Sequence, residues 1–232
     1  MFPGACPADA TKAIEVLQTI RAQTWPPLPG PILRPSGDGV FVDLEAATNR
    51  LYRMMALTPS GDTIANIQGR HFEDVIQNRI DASAWAPVPE LRNIRGNNLR
   101  RLDGTFIADL DAVGEFGDTL LIVDCKSTPY AAEYDAGFYT AVRNIQSTLL
   151  GKLANWTRVI DELKVSPVGP NYNFSRFSRI AGIVCTPHVF YVPLGAATQT
   201  VVTSPGGVPL RTVSSYSEMD RFLTDWPDLS SG

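Results

Sequence analysis

A hairpin pattern at residues 104–127 (GTFIADLDAVGEFGDTLLIVDCKS) is the feature that most limits how this chain folds. Two apolar runs flank a glycine-rich break (GEFGD) of the kind that joins antiparallel strands. Because side chains alternate faces along a strand, Asp109 and Asp111 are expected to share one face of the first run, and Asp124 and Lys126 one face of the second. Charge on such an apolar sheet is costly unless it is paired or binds a metal ion. These charged residues therefore require an ion pair or a bound cation.

The composition is that of a folded protein with a substantial core. The chain has 232 residues, enough for one large domain or one domain with a small appendage, and is 44% hydrophobic and 19% charged. Its net charge of −4 gives no overall attraction to nucleic acid or to an anionic membrane, so such binding has to come from local clusters. Three scattered cysteines favour a reducing compartment, and no stretch is long and apolar enough to span a bilayer. We expect a soluble, cytoplasmic protein without a membrane partner.

The beginning of the chain has the pattern of an arm attached to a main domain. Apolar residues at 14, 17 and 20 have weak helical spacing, and the proline-rich stretch WPPLPGP that follows cannot continue a helix. We expect residues 1–35 to be an N-terminal helical arm with an extended linker, and residues 36–232 to form the main domain. Alternatively, the chain is a fragment of a larger multidomain protein.

The main domain alternates helical and strand patterns. Predicted helices cover residues 43–57, 62–82 and 135–163, and a short last helix follows the capping-box spacing of Ser215 and Glu218. Predicted strands, besides the two hairpin runs, cover residues 39–43, 180–186, 189–192, 198–203 and 210–213. This order predicts an α/β fold with a central mixed β-sheet flanked by helices.

The charged residues of the hairpin occur in an order that resembles the PD-(D/E)XK nuclease superfamily. Strands of its resolvase-like and Mrr-type restriction proteins typically read acid-x-Asp, apolar residues, a glycine turn, an apolar run and then acid-x-Lys. In this chain Asp109–Asp111 and Asp124–Lys126 match the two acidic motifs.

Two positions outside the hairpin extend the resemblance. In such enzymes a glutamate on the preceding helix often joins the site, and Glu73 occupies that place; a glutamine on the following helix marks some branches, and Gln146 fits. Leu150 stands where the RecB-like branch has a tyrosine, so that branch is not implied. The resemblance covers roughly residues 65–190 and implies a restriction-endonuclease-like core within a nuclease-like domain.

The resemblance implies a metal-dependent endonuclease that hydrolyses phosphodiester bonds in DNA, rather than RNA, in bacterial defence or DNA processing. It assigns catalytic roles to Glu73, Asp111, Asp124, Lys126 and Gln146, and it makes Glu73, Asp111, Asp124 and the Cys125 carbonyl ligands of Mg²⁺ or Mn²⁺. The chemistry is consistent, since Mg²⁺ prefers a few carboxylates plus waters and lowers the pKa of a bound water. Lys126 would orient the attacking water or stabilise the growing negative charge.

A dense basic run, residues 91–101 (LRNIRGNNLRR), leads directly into the hairpin. Four of its arginines are candidate contacts to DNA phosphates: Arg92, Arg95, Arg100 and Arg101. The alternative is a solvated, charged loop and strand. Three residues of the long predicted helix are weaker candidates for the same role: Arg143, Lys152 and Arg158.

Each candidate residue also has an ordinary structural explanation. Asp124 and Lys126 would form a simple ion pair, and Glu73 would be a solvated helix residue. Gln146 would bond a backbone carbonyl, and the acidic residues at 109 and 111 would face solvent on an edge strand.

Two other functions fit the same sequence. A nuclease-like fold that no longer cuts would serve as a binding or assembly module, as the acidic net charge and the aspartate in place of the commoner glutamate at position 124 suggest. An α/β enzyme that uses its carboxylates for acid–base work on a small molecule would need a deep apolar pocket without a basic rim. For an endonuclease that cuts two strands, a homodimer with two sites is a further expectation.

Overall fold

The computed structural model describes residues 33–37, 39–44, 47, 62–128, 132–135 and 137–227. The chain divides into two compact units, the first comprising Met1–Pro59 with Pro129–Val142, and the second Ser60–Thr128 with Arg143–Gly232. The predicted arm up to residue 32, and nearly all of the predicted helix at 43–57, lie outside the described residues.

Five helices and twelve strands are present in the described residues. The helices are α1 (Asp62–Asp81), α2 (Pro89–Arg92), α3 (Ala132–Asp135), α4 (Tyr139–Val165) and α5 (Tyr216–Thr224), with a 3₁₀ helix at Ala196–Thr198. The strands are β1 (Leu33–Ser36), β2 (Gly39–Val42), β3 (Asn98–Arg100), β4 (Phe106–Asp109), β5 (Ala112–Phe116), β6 (Thr119–Cys125), β7 (Val168–Gly169), β8 (Tyr172–Asn173), β9 (Arg179–Thr186), β10 (Thr200–Thr203), β11 (Pro209–Arg211) and β12 (Val213–Ser215).

The first unit contains an antiparallel hairpin of β1 and β2, in which Leu33 pairs with Val42. The predicted strand at 39–43 is thus confirmed as β2, ending one residue earlier. The unit also contains α3 and the first turn of α4.

The second unit is built on a four-stranded mixed sheet in the order β12–β9–β6–β5. β5 and β6 form an antiparallel hairpin, whereas β6, β9 and β12 run parallel. β6 is apolar over nearly its whole length (TLLIVDC) because both faces of this central strand are covered. The predicted α/β class with a mixed sheet is confirmed.

Helices cover both faces of this sheet. On one face, Leu120 and Ile122 belong to a buried cluster with Leu153, Trp156 and Ile160 of α4. On the other face, the alternate residues of β6 and β9 pack against α1 and α5: the cluster includes Leu121, Val123, Ile183, Ile76, Ile80, Met219 and Phe222. The sheet is therefore fixed between two helical layers, and its strand ends are held in defined positions.

The free edge of the sheet, along β5, is covered by a buried glutamine. Gln77 of α1 is fully buried, donates to the Val113 carbonyl at 2.9 Å and accepts from the Val113 N–H at 2.8 Å. Two residues further along, the N–H of Glu115 donates to the Trp85 carbonyl at 3.0 Å. These contacts satisfy edge groups that would otherwise be open to pairing with another chain.

The first hairpin run is two strands, not one, and the prediction of a single strand carrying Asp109 and Asp111 is wrong. β4 ends at Asp109 and pairs with β3, whereas β5 starts at Ala112 and pairs with β6. Leu110 lies fully buried at the break, and its carbonyl accepts from the Gly96 N–H at 2.9 Å. A continuous apolar run does not reveal such a change of sheet, because both strands bury residues of the same kind.

Most other predicted elements of the second unit are confirmed. α1, β9, the β10–β11 hairpin and the capping box at Ser215 and Glu218 all occur where the sequence places them. The predicted strand at 189–192 is wrong, since this segment is a loop. α4 begins at Tyr139 instead of residue 135, and Phe138 just before it is 40% exposed. Ile67 of α1 is 60% exposed.

No helix in the described part of the chain combines the length and the apolar character needed to cross a membrane.

Candidate active site

The two central carboxylates lie opposite each other at the end of the β5–β6 hairpin. Ala112 pairs with Val123, so the next position outward sets Asp111 against Asp124. Residues directly opposite in an antiparallel pair project to the same face. Oδ2 of Asp111 accepts a 2.6 Å hydrogen bond from the backbone N–H of Cys125, which brings its carboxylate over the end of β6.

Lys126 completes this group from the same side of the sheet as Asp124. Its Nζ lies 2.5 Å from Oδ1 of Asp124, and the two side chains are 29% and 15% exposed, respectively. Its backbone N–H continues the sheet by donating to the Cys185 carbonyl at 2.8 Å. The ion pair between Asp124 and Lys126, which the sequence offers as the ordinary structural explanation, is thus present, and it lies within the candidate site.

Glu73 approaches the group from α1, which covers the other face of the sheet. Its side chain is half-buried. Burial raises its pKa; the Arg95 charge lowers it, whereas Asp109 and Asp74 raise it further. In the described residues no hydrogen bond or ion pair joins Glu73 to Asp111 or Asp124. The charge of Glu73 nevertheless raises the pKa of Asp111.

Burial destabilises the charged form of both central carboxylates. It raises the pKa of Asp111 to about 7, against the lowering effect of the Cys125 N–H, while the charge of Asp124 raises it further. Burial likewise raises the pKa of Asp124, and Lys126 offsets this only in part. Shifts of this kind are typical of sites where carboxylates await a cation or hold a proton.

Lys126 stays charged in this environment. Burial lowers its pKa, but the charge and hydrogen bond of Asp124, with the charges of Asp111 and Asp109, raise it by more, and the net pKa lies above its usual value. The group can therefore act as a fixed positive charge or hydrogen-bond donor but not as a base near neutral pH.

Of the four arginines in the basic run, Arg95 lies at the site. Its Nη2 is 2.7 Å from Oδ1 of Asp74, and its Nε donates to the Asp111 carbonyl at 2.7 Å. This pair of contacts ties α1 to the break before β5 and helps to hold Asp111 in place. The Asp74 partner had no signal in the sequence beyond its position next to Glu73.

The other three arginines lie elsewhere. Arg92 pairs with Asp81 at 2.9 Å, and Asp81 is eight residues beyond Glu73 on α1, or about 12 Å along the axis. Arg101 forms two contacts with Glu162, near the far end of α4. Arg100 donates to the Gly104 carbonyl at 2.9 Å. Two of the three are thus engaged by carboxylates, those of Asp81 and Glu162.

Gln146 and Lys152 lie on α4 with different neighbours. Gln146 donates through Nε2 to the Tyr191 carbonyl at 3.0 Å. A bond to a backbone carbonyl is the structural explanation that the sequence offers for this residue. The charge of Lys152 lowers the pKa of Asp124, which places this exposed lysine near the carboxylates. Lys152 had appeared in the sequence only as a weak candidate, because helical spacing does not show which exposed cation faces a strand end.

The Cys125 side chain belongs to the core and not to the site. Its thiol lies in the buried cluster with Val123 and Cys185, and burial raises its pKa well above the usual value. A thiol in that state is a poor nucleophile. Its backbone, however, contributes the N–H that holds Asp111.

The residues described here contain no group of three or more His, Cys, Asp or Glu side chains already set to hold a metal ion. Comparison with known proteins identifies no relative: no family model matches the chain, and no curated protein or solved structure is significantly similar to it.

Proposed function

We propose that this chain is a metal-dependent endonuclease of the restriction-endonuclease-like type, which hydrolyses phosphodiester bonds in DNA. The observation that carries the proposal is the convergence of Asp111, Asp124 and Lys126 at the end of one hairpin, with half-buried carboxylates whose pKa values are raised. An isolated structural ion pair needs one carboxylate; this site has a second one opposite the first, and Glu73 nearby.

The order of elements supports the same proposal. A helix (α1) precedes the hairpin, a long helix (α4) follows it, and β9 then lies parallel to the second hairpin strand. This arrangement agrees with the core that the sequence resemblance implies. It also sets the candidate carboxylates at the carboxyl end of β6, the side at which parallel strands of α/β sheets present ligand sites.

The residues present fit a hard divalent cation. In the described part of the chain, the hydrogen bonds of the two carboxylates engage one oxygen each, Oδ2 of Asp111 and Oδ1 of Asp124. The second oxygen of each remains for a cation, and Mg²⁺ sites in proteins commonly use one or two carboxylates with waters and substrate phosphates. When bound, such an ion would neutralise phosphate charge and lower the pKa of a water. Glu73 would add a further carboxylate.

The remaining residues would position the substrate. Lys126, kept charged by Asp124, presents its ammonium group where a scissile phosphate would gain negative charge. Lys152 supplies a second cation on the α4 side, and Arg95 holds the Asp111 backbone. Bacterial defence or DNA processing is the setting that this activity would serve.

A binding or assembly module without catalysis is the second candidate function. Lys126 already neutralises one carboxylate, and no metal-holding group is formed within the described residues. This alternative requires that the site bind no divalent ion. The small-molecule alternative would place its substrate in a deep apolar pocket. A cavity of about 550 Å³ lies along the second half of α4 and the start of β9, and its lining includes Trp156, Ile160 and Arg179.

The test is cleavage of supercoiled plasmid and of single-stranded oligonucleotides in the presence of Mg²⁺ or Mn²⁺. We expect wild-type protein to cut, and Asp124→Asn and Lys126→Gln to cut at least about a hundredfold more slowly. Asp161→Asn is the matched control, because Asp161 is an exposed carboxylate of α4 outside the site. Equal cleavage by all four proteins would indicate a contaminant, and cleavage by none of them would favour the binding module.

A further inference from the structure

A loop with exposed aromatic and aliphatic side chains, residues 187–193 (PHVFYVP), directly follows β9. Tyr191 is 73% exposed and Val189 62% exposed. The rings of His188 and Phe190 meet edge to face, with centroids 6.4 Å apart. Large side chains held in water contribute little to the core, so the loop offers surface for a ligand.

The loop starts at the same end of the sheet as the candidate site. β9 is parallel to β6 with Cys125 opposite Cys185, and the Lys126 N–H donates to the Cys185 carbonyl at 2.8 Å. The chain leaves β9 after Thr186, whose hydroxyl donates to the His188 carbonyl at 2.7 Å. The first residues of the loop therefore lie beside Lys126.

The far part of the loop is tied to α4 by Gln146. Its side-chain amide donates to the Tyr191 carbonyl at 3.0 Å. Gln146 lies six residues before Lys152, about 9 Å along the helix, and the charge of Lys152 reaches Asp124. Gln146 thus ties the backbone of Tyr191 to α4, the helix that packs on the sheet face of Leu120 and Ile122. By strand alternation this is also the face of Asp124 and Lys126.

We infer that this loop stacks on unpaired bases, and that single-stranded or locally unpaired DNA is the preferred substrate of the site; the inference rests on the proposed function. Aromatic side chains bind single strands by stacking on base faces, which a duplex keeps hidden within its own stack. Duplex binding relies instead on many phosphate contacts. Here Arg92 and Arg101 are engaged by carboxylates, and the chain carries a net charge of −4.

The site then divides a single-stranded substrate between two kinds of contact. The phosphate meets Lys126 and the carboxylates, and a neighbouring base meets the Tyr191 ring. Gln146 is a positioning residue in this scheme, because it acts through the backbone of Tyr191 and touches no substrate atom.

The test measures binding of a fluorescent single-stranded DNA and of a duplex of the same sequence, with Ca²⁺ as a probe ion. We expect Tyr191→Ala to lower the ratio of single-strand to duplex affinity about tenfold, and Tyr191→Phe, which keeps the ring, to change it less than about twofold. Leu194→Ala is the matched control, since Leu194 is 94% exposed just beyond the loop, and it should leave the ratio unchanged. For Gln146→Ala we expect a lowered ratio, with a raised KM and an unchanged kcat on single strands.

Two results separate this inference from the proposed function. An unchanged affinity ratio in Tyr191→Ala, together with cleavage that depends on Asp124, would overturn the stacking role and leave the endonuclease standing. A lowered ratio in a protein that cuts no DNA would support the stacking loop and overturn the endonuclease.

Discussion

The carboxylate of Asp111 accepts a 2.6 Å hydrogen bond from the backbone N–H of Cys125, the residue between Asp124 and Lys126. A charged side chain at the start of one strand is thereby fixed over the end of the next. The hydrogen bond favours the charged form, but burial outweighs it and raises the pKa of Asp111 to about 7. The position of this carboxylate is thus set by the fold, while its charge depends on pH and on what it binds.

The raised pKa of Asp111 predicts that the metal-free protein loses stability as the pH rises. Its ordinary pKa is 3.8, so the folded state holds a proton that the unfolded state has lost between about pH 4 and pH 7. The stabilising contribution is complete below the unfolded pKa and lost as the pH passes the folded pKa. Glu73 and Asp124 shift in the same direction. Urea unfolding across this interval should show the decline.

The matched variant for this prediction is Asp111→Asn, which keeps an oxygen for the Cys125 N–H without the charge. Near pH 8 it should raise the free energy of unfolding by the order of 2–4 kcal/mol, and near pH 4 it should change little. Asp161→Asn, at an exposed carboxylate, should have no such pH-dependent effect. Identical pH profiles for wild type and Asp111→Asn would contradict the burial of charge at this position.

The buried amide of Gln77 should matter as much for stability as a large apolar side chain. It makes two hydrogen bonds to the Val113 backbone and donates a third to Asp81 at 2.7 Å. Gln77→Ala would leave both backbone groups of the β5 edge without this partner, and we expect a loss of about 2–4 kcal/mol by urea unfolding. Gln199→Ala, at an exposed position, is the control and should change stability by less than about 0.5 kcal/mol.

Two glycines should respond in opposite ways to alanine. A Cβ on Gly182 of β9 would collide with Ile160 and lie 3.3 Å from Nε1 of Trp156, whereas a Cβ on Gly151 of α4 would meet open space. We expect Gly182→Ala to cost about 1–3 kcal/mol through overpacking, and Gly151→Ala to add about 0.5–1 kcal/mol through helix propensity. Thermal unfolding of both variants checks this, and Ile160→Val should reduce the cost at position 182. Equal effects at the two positions would contradict the close approach of α4 to the sheet.

The sequence predicts the elements whose signals are local. The all-apolar run of β6 marks a central strand, Ser215 and Glu218 mark the start of α5, and the hairpin glycines mark the turn between β5 and β6. The opposition of Asp111 and Asp124 follows from that turn, because a hairpin sets its register. These are short-range relationships, and each of them can be read from spacing.

The features that the sequence does not predict depend on tertiary contacts. The run VFYV at 189–192 has high β propensity, yet prolines at 187 and 193 bracket it and Gln146 holds its backbone as a loop. The break at Leu110, where the chain passes from one sheet to another, leaves the apolar pattern unchanged. Likewise, nothing local distinguishes Arg95, which reaches Asp111, from Arg101, which pairs with Glu162.

Mn²⁺ binding, followed by electron paramagnetic resonance near pH 8, where Asp111 is largely ionised, shows whether a cation binds between Asp111 and Asp124. We expect wild-type protein to bind Mn²⁺ at a site from which Mg²⁺ displaces it, and the affinity to fall at least about tenfold in Asp111→Asn and in Asp124→Asn. Asp161→Asn should bind as the wild type does. Absence of binding by the wild type, or equal binding by all four proteins, would contradict a cation site between these two carboxylates.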